Sequence, residues 1–153
     1  MGRRGTPRKL DVPGEELPKV AYRLTDAASY RGVDVLVVGG GDSAVEAALA
    51  LSAQPRNRVT VSYRQETFFR LKARNEQRIQ QAVRAGKVTV MFRSQVRSIL
   101  PHQVALGTEA GETSLANDFV FVFAGGVPPF QPLKEAGVQF GRELKREPSP
   151  ERR

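Results

Sequence analysis

A short apolar strand that leads directly into a glycine turn and a helix is the feature that most constrains this chain. Residues 33–38 form a β-branched run typical of a buried parallel strand. Gly39, Gly40 and Gly41 follow, and residues 43–51 are dense in alanine and leucine, which are strong helix formers. Residues 58–63 indicate a second strand. Strand, helix and strand, over roughly thirty residues, predict a βαβ unit and therefore a parallel sheet.

The glycine turn matches the pattern G-x-G-x-x-A and lies between a predicted strand and a predicted helix. In that position the pattern is typical of a dinucleotide-binding turn. Gly39 permits the sharp turn, Gly41 leaves room for a pyrophosphate, and Ala44 lets the helix pack close to the strand. The unpaired amides of the helix start attract phosphate. We expect Asp42 or Ser43 to cap the helix, and Ser43 to donate to a phosphate. The alternative is a turn that only connects the two elements.

The end of the second strand indicates which dinucleotide is bound. An acidic residue there would bind the ribose 2′-hydroxyl of NAD, and the sequence offers only Glu66, in the following loop. Arg64 lies where the adenosine ribose is expected, and its guanidinium suits a 2′-phosphate. Arg70 and Lys72 are expected to close over the same group, and Tyr63 to stack on the adenine. NADP(H) is the predicted cofactor, with NAD(H) as the alternative. The competing interpretation is that Arg64, Arg70 and Lys72 are ordinary solvated charges at the end of a strand.

The rest of the chain predicts further sheet and helix. A second helix is expected from about residue 69 to residue 85, capped by Gly86. The expected strands are residues 87–92, three alternating segments at 95–100, 103–106 and 113–116, and a last strand at 119–124. The alternating segments are separated by Pro101-His102 and by a turn over residues 107–112, which predicts an antiparallel meander.

Two glycines, Gly125 and Gly126, follow the last strand. In doubly wound sheets the ligand lies at the carboxyl ends of the strands, so these glycines are candidates for passing close to the nicotinamide. A plain tight turn is the alternative. Phe119, Phe121 and Phe123 alternate at strand spacing and are interpreted as core residues rather than cofactor contacts.

These segments predict an α/β fold, a Rossmann-like parallel sheet with a crossover helix and an antiparallel β-meander. Residues 1–31, rich in proline, glycine and charge, are predicted to form an extended connector with one helical turn near Ala27 and Ala28. Residues 32–141 are predicted to be the NAD(P)-binding domain. Residues 142–153 are predicted to be a disordered basic tail.

Charge and composition narrow the function classes. The net charge of +8 favours anionic partners, but much of the excess is terminal, so nucleic acid is not predicted as a partner. The chain contains no cysteine, which excludes disulfides, thiolate metal sites and dithiol redox chemistry. With His102 as the single histidine, no metal site is predicted. No membrane partner and no secretory signal are predicted, and a cytoplasmic location is expected.

Three segments carry a resemblance to a known family. Residues 35–51, 59–70 and 118–129 resemble the NADPH-binding domain of the thioredoxin reductase-like flavoproteins, the FAD- and NAD(P)-binding pyridine nucleotide-disulfide oxidoreductases. The carrying motifs are GGGDSAVEAALAL and VTVSYRQETFFR. Where that family usually has His-Arg-Arg, this chain has Tyr63, Arg64 and Gln65, which is nearer to the bacillithiol-disulfide-reductase and flavin-monooxygenase-like branches. Residues 2–17 resemble the exit from the family's FAD domain.

The resemblance implies an NAD(P)H-binding domain of an FAD-dependent oxidoreductase that positions the nicotinamide for hydride transfer to a flavin. The Cys-x-x-Cys pair of thioredoxin reductases and the FAD fingerprints are absent from the sequence. FAD is therefore expected only in a complete or partner protein, and this chain alone is expected to be catalytically incomplete, with no catalytic residue assigned. Two alternatives stay open: a non-catalytic or regulatory subunit that docks on a separate FAD partner, and a basic interaction protein with a vestigial glycine turn.

Overall fold

A computed structural model describes residues 9–68 and 71–123. These residues form a five-stranded sheet and a three-stranded sheet. In chain order, the elements are β1 Val20–Ala21, a 3-10 helix Ala27–Ser29, β2 Asp34–Val38, α1 Asp42–Ser52, β3 Arg58–Ser62, α2 Ala73–Arg84, β4 Val88–Met91, β5 Gln95–Leu100, β6 Gln103–Thr108, β7 Gly111–Ala116 and β8 Phe119–Val122.

The larger sheet has the order β1-β8-β2-β3-β4, and all of its strand pairs are parallel. The smaller sheet is the antiparallel meander β5-β6-β7. The predicted α/β class, with its crossover helix and meander, is thereby confirmed. Strand β1 was not predicted, because two residues are too few to show a hydrophobic period.

Both faces of the parallel sheet are covered, which explains why its central strands β2 and β8 are apolar at nearly every position. On one face, Val35 and Val37 pack with α1 and α2 in one core cluster. On the other face, Leu36 and Val38 join a second cluster with apolar residues of the meander. The fold therefore has three layers, with helices, parallel sheet and meander stacked in that order.

Helix α2 begins later than predicted. The expected start was near residue 69, whereas the helix begins at Ala73, after residues 69 and 70, which lie outside the described part. The Asp42 carboxylate accepts the Lys72 backbone N–H at 3.0 Å and fixes this start from another helix. The predicted end is confirmed: Gly86 has φ +76°, and Lys87 N–H donates to the Ala82 carbonyl, as in a Schellman motif.

Strand β5 has the predicted bounds, whereas β6 and β7 are longer than predicted. The expected turn over residues 107–112 is only two residues, 109 and 110, because β6 extends to Thr108 and β7 begins at Gly111. The Thr108 hydroxyl donates to the Gly111 carbonyl at 2.7 Å and accepts the Ala110 N–H at 3.2 Å, which closes the turn. The residues by which β7 begins earlier than predicted, Gly111 and Glu112, are exposed and give no apolar signal.

The N-terminal segment differs from the expected extended connector. Residues 13–19 form consecutive turns, and the Pro13 carbonyl accepts the Ile99 N–H at 2.8 Å, so the segment packs on β5. The Glu15 carboxylate accepts the N–H groups of Leu10 and Asp11 and the hydroxyl of Tyr22, each at 2.7 Å. The predicted helical turn is the 3-10 helix at Ala27–Ser29. No helix in residues 9–68 and 71–123 is long and apolar enough to cross a membrane.

The Glu15 contacts predict a specific loss of stability in acid. Burial acts to raise the pKa of Glu15, but the hydrogen bonds from Leu10, Tyr22 and Asp11 together outweigh it and lower the pKa below its ordinary value of 4.5. Burial and the bond to Glu15 raise the pKa of Tyr22 to about 12. A carboxyl group whose pKa is lower in the folded than in the unfolded state stabilises the fold at pH values above its unfolded-state pKa. This stabilisation is lost as the pH falls through the folded-state pKa.

We therefore expect Glu15→Gln to reduce the free energy of unfolding by about 1–2 kcal/mol at neutral pH. This reduction should shrink as the pH falls below the ordinary glutamate pKa and should be lost below the lowered pKa of Glu15. Urea unfolding across this pH range measures the difference. Glu16→Gln is the control, because Glu16 is an exposed neighbour, and it should change little at any pH. A constant difference between wild type and Glu15→Gln at all pH values would contradict the assignment.

Candidate dinucleotide-binding cleft

An open cleft of about 560 Å³ lies at the carboxyl ends of the parallel strands. Val38 and Ser62 reach it as the last residues of β2 and β3, and Phe123 reaches it directly after β8. Its lining residues are Lys9, Leu10, Asp11, Val38, Gly39, Gly40, Gly41, Ser62, Tyr63, Arg64, Ser94, Gln95, Val96 and Phe123. The glycine turn and the end of the second strand, which are separated in sequence, therefore open on the same space.

Gly39 is required by the fold itself. Its φ is +134°, and a Cβ atom there would lie 2.4 Å from the Phe123 carbonyl oxygen. Its N–H donates to the Ser62 carbonyl at 3.0 Å, while Phe123 N–H donates to the Val38 carbonyl at 2.7 Å. Gly39 therefore makes the sharp exit from β2 in close contact with the neighbouring strand, and Ala44 is completely buried beneath it in the helix-side core.

Gly40 and Gly41 have different surroundings. A Cβ atom on Gly40 would lie 2.4 Å from the Tyr63 ring, so the ring lies directly against the backbone of the turn. A Cβ atom on Gly41 would meet nothing within 4 Å. Gly41 is exposed and lines the cleft. Both glycines line the cleft, but of the two only Gly41 has open space at the position of an added Cβ atom.

The prediction that Asp42 or Ser43 caps α1 is wrong. Gly41 is the N-cap residue, and no side chain caps the helix. The Asp42 carboxylate instead accepts from Asn75 Nδ2 at 2.8 Å and from the Lys72 N–H, and these bonds, the Asn75 one foremost, lower the pKa of Asp42. Because the first amides of a helix have no partners within it, the start of α1 keeps its hydrogen-bonding capacity for a ligand.

Arg64 lines the cleft with an exposed side chain. Within residues 9–68 and 71–123 its guanidinium has no hydrogen bond or ion pair. The backbone beside it is held in place, since Tyr63 N–H donates to the Met91 carbonyl at 3.0 Å and Ser94 N–H donates to the Tyr63 carbonyl at 3.1 Å. A fixed backbone therefore carries a cation with its donors available.

The Tyr63 ring belongs to an aromatic cluster. It stacks on Phe68 with ring centroids 5.9 Å apart and planes 16° apart, and Phe68 meets Phe92 edge-on at 5.0 Å. Contact with the Gly40 backbone adds to this packing. The role of Tyr63 as an adenine platform stays a prediction.

Other predicted site residues lie apart from the cleft or outside the described residues. Lys72 is exposed at the start of α2, beside Asp42, and is not among the residues that line the cleft in the described part of the chain. Arg70, Gly125 and Gly126 lie outside the described residues. The exposed Ser43 sits in the first turn of α1.

Sequence reasoning missed several lining residues. Lys9 and Asp11 come from the N-terminal segment, which the Glu15 carboxylate folds back toward the cleft. Ser62 and Ser94 are buried at its floor; Ser94 donates to the Met91 carbonyl at 2.7 Å, so Ser62 donates to Ser94, also at 2.7 Å. No motif in the sequence marks these positions, because the contacts join segments distant along the chain.

Comparisons with known proteins agree with this architecture. The chain is 34% identical over 142 residues to the bacilliredoxin reductase Bdr of Bacillus subtilis, covering 92% of this chain and 44% of that protein. It is 35% identical over 152 residues to a ferredoxin–NADP reductase of Ignicoccus hospitalis, covering 94% and 48%. The bacillithiol disulfide reductase Bdr from Bacillus cereus superposes with a TM-score of 0.77 at 35% identity, covering 80% of this chain and 38% of that structure.

A Lactococcus lactis thioredoxin reductase has a TM-score of 0.68 at 30% identity, with 79% of this chain and 42% of that structure covered. The chain thus spans less than half the length of each of these relatives. The sequence pattern of one family, described as pyridine nucleotide-disulphide oxidoreductase, matches residues 1–151. This chain belongs to the pyridine nucleotide-disulphide oxidoreductase family.

Proposed function

We propose that the chain binds NADP(H) in this cleft and positions its nicotinamide for hydride transfer to a flavin, as the nucleotide-binding part of an FAD-dependent oxidoreductase. The observation that carries the proposal is the opening of two distant elements, the glycine turn and the Arg64 loop, on one cleft. A relative named for NADP, the Ignicoccus ferredoxin–NADP reductase, supports the choice of cofactor.

The residues of the cleft fit a dinucleotide. The volume of the cleft, about 560 Å³, lies within the range of roughly 300–1,000 Å³ usual for ligand pockets. The uncapped start of α1 supplies amide donors and the positive end of the helix dipole for the pyrophosphate. Gly41 leaves the approach to those amides open. Arg64 supplies a planar fork of donors for the 2′-phosphate.

The chemistry of the reaction belongs to the cofactor. When bound, NADPH supplies the hydride, and the protein contributes binding, orientation and electrostatics. In this proposal the glycine turn and α1 hold the pyrophosphate, and Arg64 holds the adenosine end. Fixing both positions limits where the nicotinamide can lie along the carboxyl edge of the sheet. The flavin that receives the hydride would come from the remainder of a longer protein or from a partner chain.

Cofactor discrimination tests the proposal through Arg64. We expect Arg64→Ala to weaken NADPH binding about ten- to a hundredfold, because a hydrogen-bonded charge pair contributes about 1.5–3 kcal/mol and each 1.4 kcal/mol is a factor of ten. NADH lacks the 2′-phosphate, so its dissociation constant should barely change. Titration of the 153-residue chain with both cofactors at one salt concentration measures the effect.

Arg84→Ala is the matched control, because it removes the same charge from the exposed last turn of α2 and should leave both affinities nearly unchanged. Equal losses for NADPH and NADH in Arg64→Ala would show that Arg64 does not bind the 2′-phosphate. Failure of the wild-type chain to bind either dinucleotide would overturn the proposed function itself.

A further inference from the structure

The loop that carries Arg64 also carries a carboxylate of the wrong charge for a phosphate site. Residues 63–68 contain one acidic side chain, Glu66, two positions after Arg64. Both side chains are exposed, and because they are only two residues apart, the sequence alone is compatible with an ion pair between Arg64 and Glu66. A pair of that kind would neutralise the cation that the 2′-phosphate needs. A free carboxylate beside the phosphate would repel it.

The structure shows Glu66 paired elsewhere. Its carboxylate accepts from Arg93 Nη2 at 2.5 Å, and the other terminal nitrogen of Arg93 donates to Glu109 in the β6–β7 turn at 2.6 Å. These two carboxylates raise the pKa of Arg93, Glu109 more than Glu66. One exposed guanidinium thus lies between two exposed carboxylates from different loops and pairs with Glu66 on the meander side of the loop.

The backbone at Arg93 is adapted to this position. Arg93 has φ +55°, a left-handed conformation that costs a non-glycine residue free energy. Its N–H donates to the Gln65 carbonyl at 3.0 Å, next to Glu66. The strained residue is therefore fixed to the same loop that its side chain engages. The Ser94 hydroxyl donates to the Met91 carbonyl at 2.7 Å, which closes the backbone on both sides of Arg93.

We propose that Arg93 is a specificity-determining positioning residue, which keeps the Glu66 carboxylate away from Arg64 and thereby preserves the preference of the cleft for NADP(H) over NAD(H). The inference rests on the proposed function, because it assumes that Arg64 binds the 2′-phosphate. Arg93 itself does not line the cleft in the described part of the chain. Arg93 acts through Glu66, so replacing Arg93 should not weaken NADPH binding once Glu66 is replaced by a neutral residue.

The test compares four variants by titration with NADPH and NADH. Arg93→Asn removes the cation and suits the left-handed backbone, since asparagine tolerates positive φ. We expect it to weaken NADPH binding about three- to tenfold and to change NADH binding less than about twofold, and the loss should shrink as salt is raised. Arg93→Asn combined with Glu66→Gln should restore NADPH binding to within about twofold of wild type.

Glu66→Gln alone should have little effect, because Arg93 already neutralises that carboxylate. Glu109→Gln is the matched control: it removes the other partner of Arg93 but leaves Glu66 paired, so NADPH binding should be retained. Thermal unfolding checks that each variant folds, and Arg93→Gly replaces Arg93→Asn where the latter does not. Equal loss for both cofactors, no loss for NADPH, or a double variant that is not restored would each overturn the inference.

Titration of Arg64→Ala beside these variants separates this inference from the proposed function. A chain whose NADPH preference is abolished by Arg64→Ala but unaffected by Arg93→Asn retains the proposed function and loses the role of Arg93. A wild-type chain that binds neither cofactor overturns both. A wild-type chain that binds NADPH and NADH equally well overturns the role of Arg93 but retains dinucleotide binding.

Discussion

Gly41→Val is expected to weaken the binding of both NADPH and NADH by at least about a hundredfold, while the chain stays folded. A Cβ atom at Gly41 meets nothing of the protein within 4 Å, so the valine side chain enters the space of the cleft instead. It would block the approach of the pyrophosphate to the first amides of α1. A loss of this size corresponds to about 2.8 kcal/mol of binding free energy.

The stability cost of this change should be small. Gly41 is the N-cap residue of α1 with φ −92° and ψ −176°, an extended conformation that valine adopts readily. Valine is a poor N-cap residue, so a loss of about 1 kcal/mol or less is expected. Gly41→Ala provides a graded comparison, because its smaller side chain should reduce affinity less. Normal dinucleotide binding by Gly41→Val, measured by titration beside thermal unfolding, would remove the glycine turn from the site.

Gly14→Ala is expected to destabilise the chain by about 3–5 kcal/mol, from backbone strain together with a steric clash. Gly14 has φ +89°, and a Cβ atom there would lie 1.7 Å from the Ile99 carbonyl oxygen on β5. The clash is with backbone, which has no rotamer to change, so the N-terminal segment must separate from the meander. The expected fall in the melting temperature is about 10 °C or more.

Gly86→Ala separates the two contributions. Gly86 also has a positive φ, +76°, but nothing lies within 4 Å of an added Cβ atom. That variant therefore incurs only the backbone cost of about 1 kcal/mol. Denaturant unfolding of both variants gives the difference. If Gly14→Ala were no more destabilised than Gly86→Ala, the contact between Gly14 and β5 would not contribute to stability.

Much of the fold could be predicted from the sequence, because the relevant signals are local. The β2-α1-β3 unit follows from a β-branched run, three glycines and an alanine-rich helix, each of which limits its own backbone. The observed first and last residues of β2, α1 and β3 each differ from the predicted ones by no more than one residue. The same local chemistry identified Gly41 and Arg64 as site candidates. Their interpretation as cofactor contacts stays a prediction.

Other features could not be predicted because they arise from contacts between distant segments. Strand β1 exists only because β8 offers an edge for Val20 and Ala21 to pair with. Asp42, a plausible cap for its own helix, instead fixes the start of α2 about thirty residues later. No local pattern distinguishes the two roles of Asp42, because its carboxylate can accept from the first amides of its own helix or from the Lys72 N–H.

The sequence by itself thus determined the class of the fold and the position of the glycine turn, since backbone propensity and hydrophobic period are properties of short segments. The tertiary structure alone decided the environment of the site. It brought Lys9 and Ser94 into the cleft and left Gly41 open while closing Gly40 against Tyr63. It also paired Glu66 with Arg93 rather than with Arg64, because hydrogen-bonding partners are chosen among all groups that folding brings within reach.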